Sequence, residues 1–110
     1  MLQTSDELMV TDDIWVYAEY TPEKLHNVSG EILGAARSLA EHTGGAVCAV
    51  IIGNDVQKYG TELIEYGADR VYVLDDESFR DYNNELYARV LKKLVKCHRP
   101  KVFLFGSVFD

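Results

Sequence analysis

Two cysteines and two prolines in 110 residues are few, and each scarcity removes a class of protein. Cys48 lies in an apolar run and Cys97 beside a basic stretch, with no CxxC and no His/Cys cluster. Neither a disulfide framework nor a cysteine-ligated metal site is therefore expected, but two buried, reduced thiols in a cytoplasmic protein. Positive charge is also scarce. Eleven Lys and Arg face 18 Asp and Glu, for a net charge of -7 and a pI near 4.8. Nucleic acid and anionic membranes need clustered cations, so both are excluded as main partners. The one basic cluster, Lys92, Lys93, Lys96, His98 and Arg99, falls at a predicted helix end, where cations suit the helix dipole. No apolar run approaches the ~20 residues that cross a bilayer, so no membrane insertion is expected. The acidic start, MLQTSDELMVTDD, reads as a lead-in over residues 1–12 rather than a signal or transit peptide. Phosphate-binding signatures are missing too: no GxGxxG follows the first apolar run, and no GxxxxGK motif exists.

What is present is an alternation. Apolar runs at Ile14–Ala18, Ala46–Ile52, Val71–Leu74 and Val102–Phe105 read as strands, and their continuous patterning predicts burial on both faces. Between them lie three segments of helical period. In the first, Ile32, Ala35, Ala36, Leu39 and Ala40 form a stripe, Asn27 or Ser29 caps the start, and Gly44 and Gly45 end it. Its small side chains predict close packing, which would account for Gly34. The second carries Val56, Tyr59, Leu63 and Ile64 inward, capped by Asn54 or Asp55 and stopped by Gly67. The third spaces Tyr87, Val90, Leu91, Leu94 and Val95 along one face, with Asn83 or Asn84 as cap and Pro100 beyond its end. Asp69 and Arg70 read as turn and surface residues. Asp75, Asp76 and Glu77 read as a solvated exit loop, because consecutive side chains diverge and a hard metal needs convergent oxygens.

The order β-α-β-α-β-α-β predicts one α/β domain over residues 13–110, a doubly wound parallel sheet with strand order 3-2-1-4 and right-handed crossovers. The first two helices must then cover one face and the third the other. One helix cannot cover four strands, so a further helix after the fourth strand is expected to complete the sandwich. Sites in such sheets lie at the carboxyl ends of the strands where the order reverses. Here that crevice would be lined by Glu19, Tyr20 and Thr21 on one side and Gly106 and Ser107 on the other. Backbone N–H groups at Gly106 and Ser107 could receive a phosphate, although plain turn chemistry accounts for the pair as well. His26, His42 and His98 have no carboxylate or nucleophile partner by spacing and read as solvated or capping residues. No catalytic residues and no metal ligands are expected.

The segments DIWVYAEY, EILGAARSLAEHTGGAVCAVIIG, ELIEYGADRVYVLDD and DYNNELYARVLKKLVKCHRPKVFLFGS resemble, in order and spacing, the amino-terminal domain of the electron transfer flavoprotein alpha subunit. The resemblance covers Asp13 to Ser107 and is most specific at Tyr66–Tyr72 and at Tyr82, Tyr87 and Ala88. It implies a Rossmann-like fold of the adenine nucleotide alpha hydrolase type. It also implies a scaffold role at the interface with a beta subunit, and electrons passing from dehydrogenases through FAD held in a separate carboxyl-terminal domain. On that reading these 110 residues are a truncated amino-terminal domain and hold no FAD themselves. The family continues past the fourth strand with a small-residue stretch and a Gly-Arg-Asp segment, where this chain has Val108, Phe109 and Asp110. The alternative is a free-standing nucleotide-binding domain resembling universal stress proteins, although their glycine-rich stretch after the fourth strand is missing.

Overall fold

The structure is a computed structural model and describes residues 10–106. Its centre is a four-stranded parallel sheet in the order β3-β2-β1-β4. Strand β1 (Ile14–Tyr17) pairs with β2 (Val47–Gly53) on one side and with β4 (Val102–Leu104) on the other, while β3 (Arg70–Asp75) lies outside β2. Helices α1 (Asn27–Thr43), α2 (Gly60–Glu65, led in by a 3₁₀ turn at Gln57–Tyr59) and α3 (Asn84–His98) make the crossovers. The predicted fold class and strand order are those observed.

Alternation along the strands builds two cores. Ile14, Val16, Val47, Ala49 and Ile51 pack with Leu33, Ala36 and Ala40 of α1 and Leu63 of α2. Trp15, Tyr17, Cys48, Val50 and Ile52 pack with Tyr87, Val90, Leu91 and Leu94 of α3. The two-and-one division of helices is what crossovers of one hand give when they leave β1 in opposite directions. Strands β1 and β2 are buried throughout, whereas β4 is only half-buried.

Carboxylates fasten neighbouring strands together. Asp13 accepts the Ala46 N–H at 2.9 Å. Asp69 Oδ2 accepts the Val47 N–H at 2.8 Å and the Arg37 guanidinium at 2.7 Å, and Arg37 also donates to the Gly67 carbonyl. The Val47 N–H and Arg37 together hold the Asp69 carboxyl below its ordinary value. Gly67 adopts φ 121°, a conformation that side chains disfavour, and so turns the chain from α2 into β3. Thr11 and Asp12, in the sequence-level lead-in, are tied as well: Thr11 N–H donates to the Arg99 carbonyl and the Asp12 carbonyl accepts from Thr43 Oγ1. Residues 1–9 lie outside the described residues.

Several local expectations differ. The buried stripe of α1 is Ser29, Leu33, Ala36 and Ala40, with Ala35 exposed and Leu39 38% exposed. The face is rotated because Leu33 fills the core and the Ser29 hydroxyl is consumed, accepting from Glu19 N–H and donating to the Glu19 carbonyl. His26 therefore caps α1 in place of Asn27 or Ser29, its Nδ1 accepting the Val28 N–H at 3.2 Å. Gly34 faces open space, so close packing does not explain it. In the second helical segment the first turn is 3₁₀, which carries Leu63 inward and leaves Ile64 46% exposed. Neither Asn54 nor Asp55 caps it. Asp75, from the end of β3, accepts the N–H groups of Asp55, Val56 and Gln57, and Asp76 caps the turn after β3 through the Ser78 N–H. The acidic exit thus carries two caps, while Asp76 and Glu77 stay exposed as expected of a solvated loop. Asn83 caps α3, as one of the two expected candidates. Cys48 is buried but Cys97 is exposed, because the last turn of α3 presents it to solvent.

Candidate functional site

The order of the sheet reverses at β1, so the exits of β1 and β4 frame the crevice. Glu19, two residues past β1, is 6% exposed, and neither carboxylate oxygen has a hydrogen-bond partner among the described residues. Burial pushes its carboxyl up, with nearby His26 opposing. Gly106, just past β4, lies directly against it: a Cβ there would overlap Glu19 Oε1 and press on the Glu19 Cδ and Val28 Cγ1. The crevice thus brings Glu19 and Gly106 together, as the topology predicts. Ser107 lies outside the described residues.

Tyr20 and Thr21 point elsewhere. Tyr20 Oη donates to the Ile52 carbonyl at 2.9 Å, and its ring meets Tyr59 at 5.7 Å. Burial, ahead of the neighbouring tyrosines, pushes its hydroxyl up to about 12. Thr21 closes a turn on Lys24. Beside Glu19 and Tyr20 opens a cleft of about 290 Å³, whose further lining includes Tyr17, Phe79, Arg80, Tyr82 and Tyr87. Phe79 and Arg80 carried no sequence signal beyond their place in the turn after β3. The rings of Tyr82 and Tyr87 meet at 4.8 Å, and Tyr87 Oη donates to the Phe79 carbonyl. The hydroxyls of Tyr20, Tyr82 and Tyr87 all donate within the protein. Among the described residues no group of three His, Cys, Asp or Glu could hold a metal ion. No helix among them is long and apolar enough to cross a membrane.

A second surface lies on the α3 face. Leu91 and Val95 of α3, with Phe103 of β4 and Phe105 just past it, line an open apolar groove of about 590 Å³ edged by Lys92 and Lys96. Phe105 is 48% exposed. Among the described residues, one helix on this side leaves β4 incompletely covered.

These features sit in a sequence whose residues 14–110 match the family model described as the electron transfer flavoprotein domain. The chain belongs to that family. The electron transfer flavoprotein subunit alpha of Thermoanaerobacterium thermosaccharolyticum is 45% identical over 97 residues, covering 88% of this chain and 29% of that protein. The protein of the same name from Megasphaera elsdenii is 45% identical over 94 residues, covering 86% of this chain and 28% of its own length. The acryloyl-CoA reductase electron transfer subunit beta of Anaerotignum propionicum is 36% identical over 95 residues, with 86% and 26% covered. This electron transfer flavoprotein domain therefore spans less than a third of the length of these relatives. The flavin that the family name implies does not fit the crevice described here. A dinucleotide diphosphate needs hydrogen-bond donors at the strand exits, and the exit of β4 instead meets the carboxylate of Glu19, which has no hydrogen-bond partner among the described residues.

Proposed function

We propose that this domain is the scaffold and subunit-interface part of an electron transfer flavoprotein alpha subunit working in the cytoplasm. In the whole protein, electrons would pass from dehydrogenases through FAD held by a carboxyl-terminal domain, with a beta subunit alongside. The observation that carries the reading is the 45% identity over 97 residues to a protein named as that subunit. It is supported by the fit of the site. The strand-exit crevice offers a carboxylate and committed tyrosines, which suits a structural role better than catalysis. The groove beside β4 presents apolar surface of the kind that interfaces bury. Electron donor and acceptor would be set by the rest of the subunit and by its partners.

The test is a melting curve of the 110-residue protein with and without purified beta subunit. Specific binding at 100 times Kd adds about 2.7 kcal/mol and raises Tm in a concentration-dependent way. The protein alone should show no flavin absorbance after purification. A melting curve indifferent to the beta subunit would count against the interface role.

The competing reading, a free-standing nucleotide-binding domain, asks the exit of β4 to receive a phosphate. The Glu19 carboxyl already lies against the backbone at Gly106, in the space a phosphate would need. Calorimetric binding of ATP or AMP tighter than ~100 μM, roughly -5.5 kcal/mol, would favour this reading instead.

A further inference from the structure

The groove between α3 and β4 does not stop at its own rim. Through Ala88, Leu91 and Phe105 it runs on into a second hollow of about 190 Å³ that ends at Tyr82. The two form one apolar strip beside α3. Continuous exposed apolar surface of this kind marks an interaction site.

The two ends of the strip differ in sign and in shape. Residues 85, 88, 92 and 96 recur every three or four positions, so they share the flank of α3 that borders the strip. At its N-terminal end that flank carries Glu85, and Tyr82 stands just before the helix, 61% exposed. At its C-terminal end it carries Lys92 and Lys96, which edge the groove. Between them lies Ala88, exposed and small. Glu85 meets Arg89 at 3.5 Å in an exposed pair, which is worth little in water and leaves Glu85 open to a better partner.

An acidic end with a protruding ring and a basic end with a hollow are complementary when two copies of the helix lie antiparallel. A two-fold axis beside Ala88 sets Glu85 of each copy against Lys92 of the other and directs each Tyr82 into the other copy's groove. Lys96 then faces the turn that carries Asp81. The small side chain of Ala88 lets the helices approach closely at the axis.

We propose that two copies of this chain associate through this strip, α3 against α3, as an isologous homodimer held by Tyr82 in the groove and by Glu85 against Lys92. The charge pattern selects a second copy as occupant, because acid and base lie where a two-fold brings them together. The pairing uses this chain alone, so it stands or falls apart from the beta-subunit reading.

The test is sedimentation velocity of the 110-residue protein over a concentration series, read for a rise in mass from 12.4 kDa to twice that value. Glu85→Lys should weaken the dimer about tenfold, and Lys92→Glu likewise. Both reversals in one chain should restore it. Glu31→Lys, at an exposed position of α1 over the opposite face, changes the net charge as Glu85→Lys does and should leave the dimer unchanged. Tyr82→Ala should weaken it more than either reversal, since aromatic anchors dominate interfaces. All four positions are exposed, so the fold survives these changes. A protein that stays at 12.4 kDa even at millimolar concentration would overturn the proposal, whether the beta subunit or the chain's own residues then take the groove. A dimer indifferent to the single reversals, or one that the double reversal fails to restore, would sink it equally.

Discussion

The two faces of this sheet are built from the same strands but finished differently. On one, α1 and α2 lie over β1 and β2, and Leu33 and Leu63 have no exposed surface. On the other, α3 is the one helix among the described residues to serve four strands; only its Tyr87 is buried, while Val90, Leu91, Leu94 and Val95 remain half-buried. A sheet whose strands are apolar on both sides demands cover on both, and the number of crossover helices on each side decides how much it gets. The first face is a finished core. The second combines a packed aromatic centre at Trp15 and Tyr72, whose rings meet at 5.1 Å, with an open margin at β4.

Truncating a leucine on each face should expose the contrast most strongly. Leu33→Ala leaves a cavity in the sealed core and should lower stability by about 2–5 kcal/mol. Leu91→Ala, on the margin, should lower it by about 1 kcal/mol, because much of that side chain already meets water. Equal losses in urea unfolding would mean that the second face is as well packed as the first.

Acid should act next, on the ties that join the strands. Asp69 is held below its ordinary value of 3.8 by the Val47 N–H and Arg37. Its stabilising contribution is therefore present above 3.8 and is lost as pH falls through the lower folded value. The pair with Arg37 is well exposed, so the contribution is about 1 kcal/mol or less. Asp69→Asn should flatten, without abolishing, the acid limb of stability against pH, since Asp75 and Asp76 are lowered by their own backbone N–H donors. An acid limb unchanged by Asp69→Asn would remove this tie from the account.

The smallest effect concerns the thiols and costs no stability. Cys97 should react with a thiol reagent in the native protein, while Cys48, in the fully buried β2, should react only on unfolding. Burial also pushes the Cys48 thiol up, which slows it further. Rapid reaction of both would show that the α3 face opens readily.

Strand order and the division of helices between faces were legible because they follow from the alternation of apolar runs with helical periods and from chirality. The crevice was legible as a place, and Glu19 and Gly106 do meet there. Its contents were not. Tyr20 turns to the carbonyl of Ile52, 32 residues away, and Phe79 and Arg80 reach the cleft from a turn after β3. Two of the three caps were misread: His26, which propensity does not favour, holds the start of α1 through a ring nitrogen, and Asp75 won its place through tertiary position. Asp75 caps from another strand altogether.

The sequence by itself determined the layered α/β architecture, because periodicity and handedness act locally and leave few ways to stack the elements. Only the tertiary structure decided which polar groups meet. Hydrogen bonds between strand ends depend on register and on sub-ångström approach, and no pattern along the chain encodes the distance between Glu19 and the backbone of Gly106.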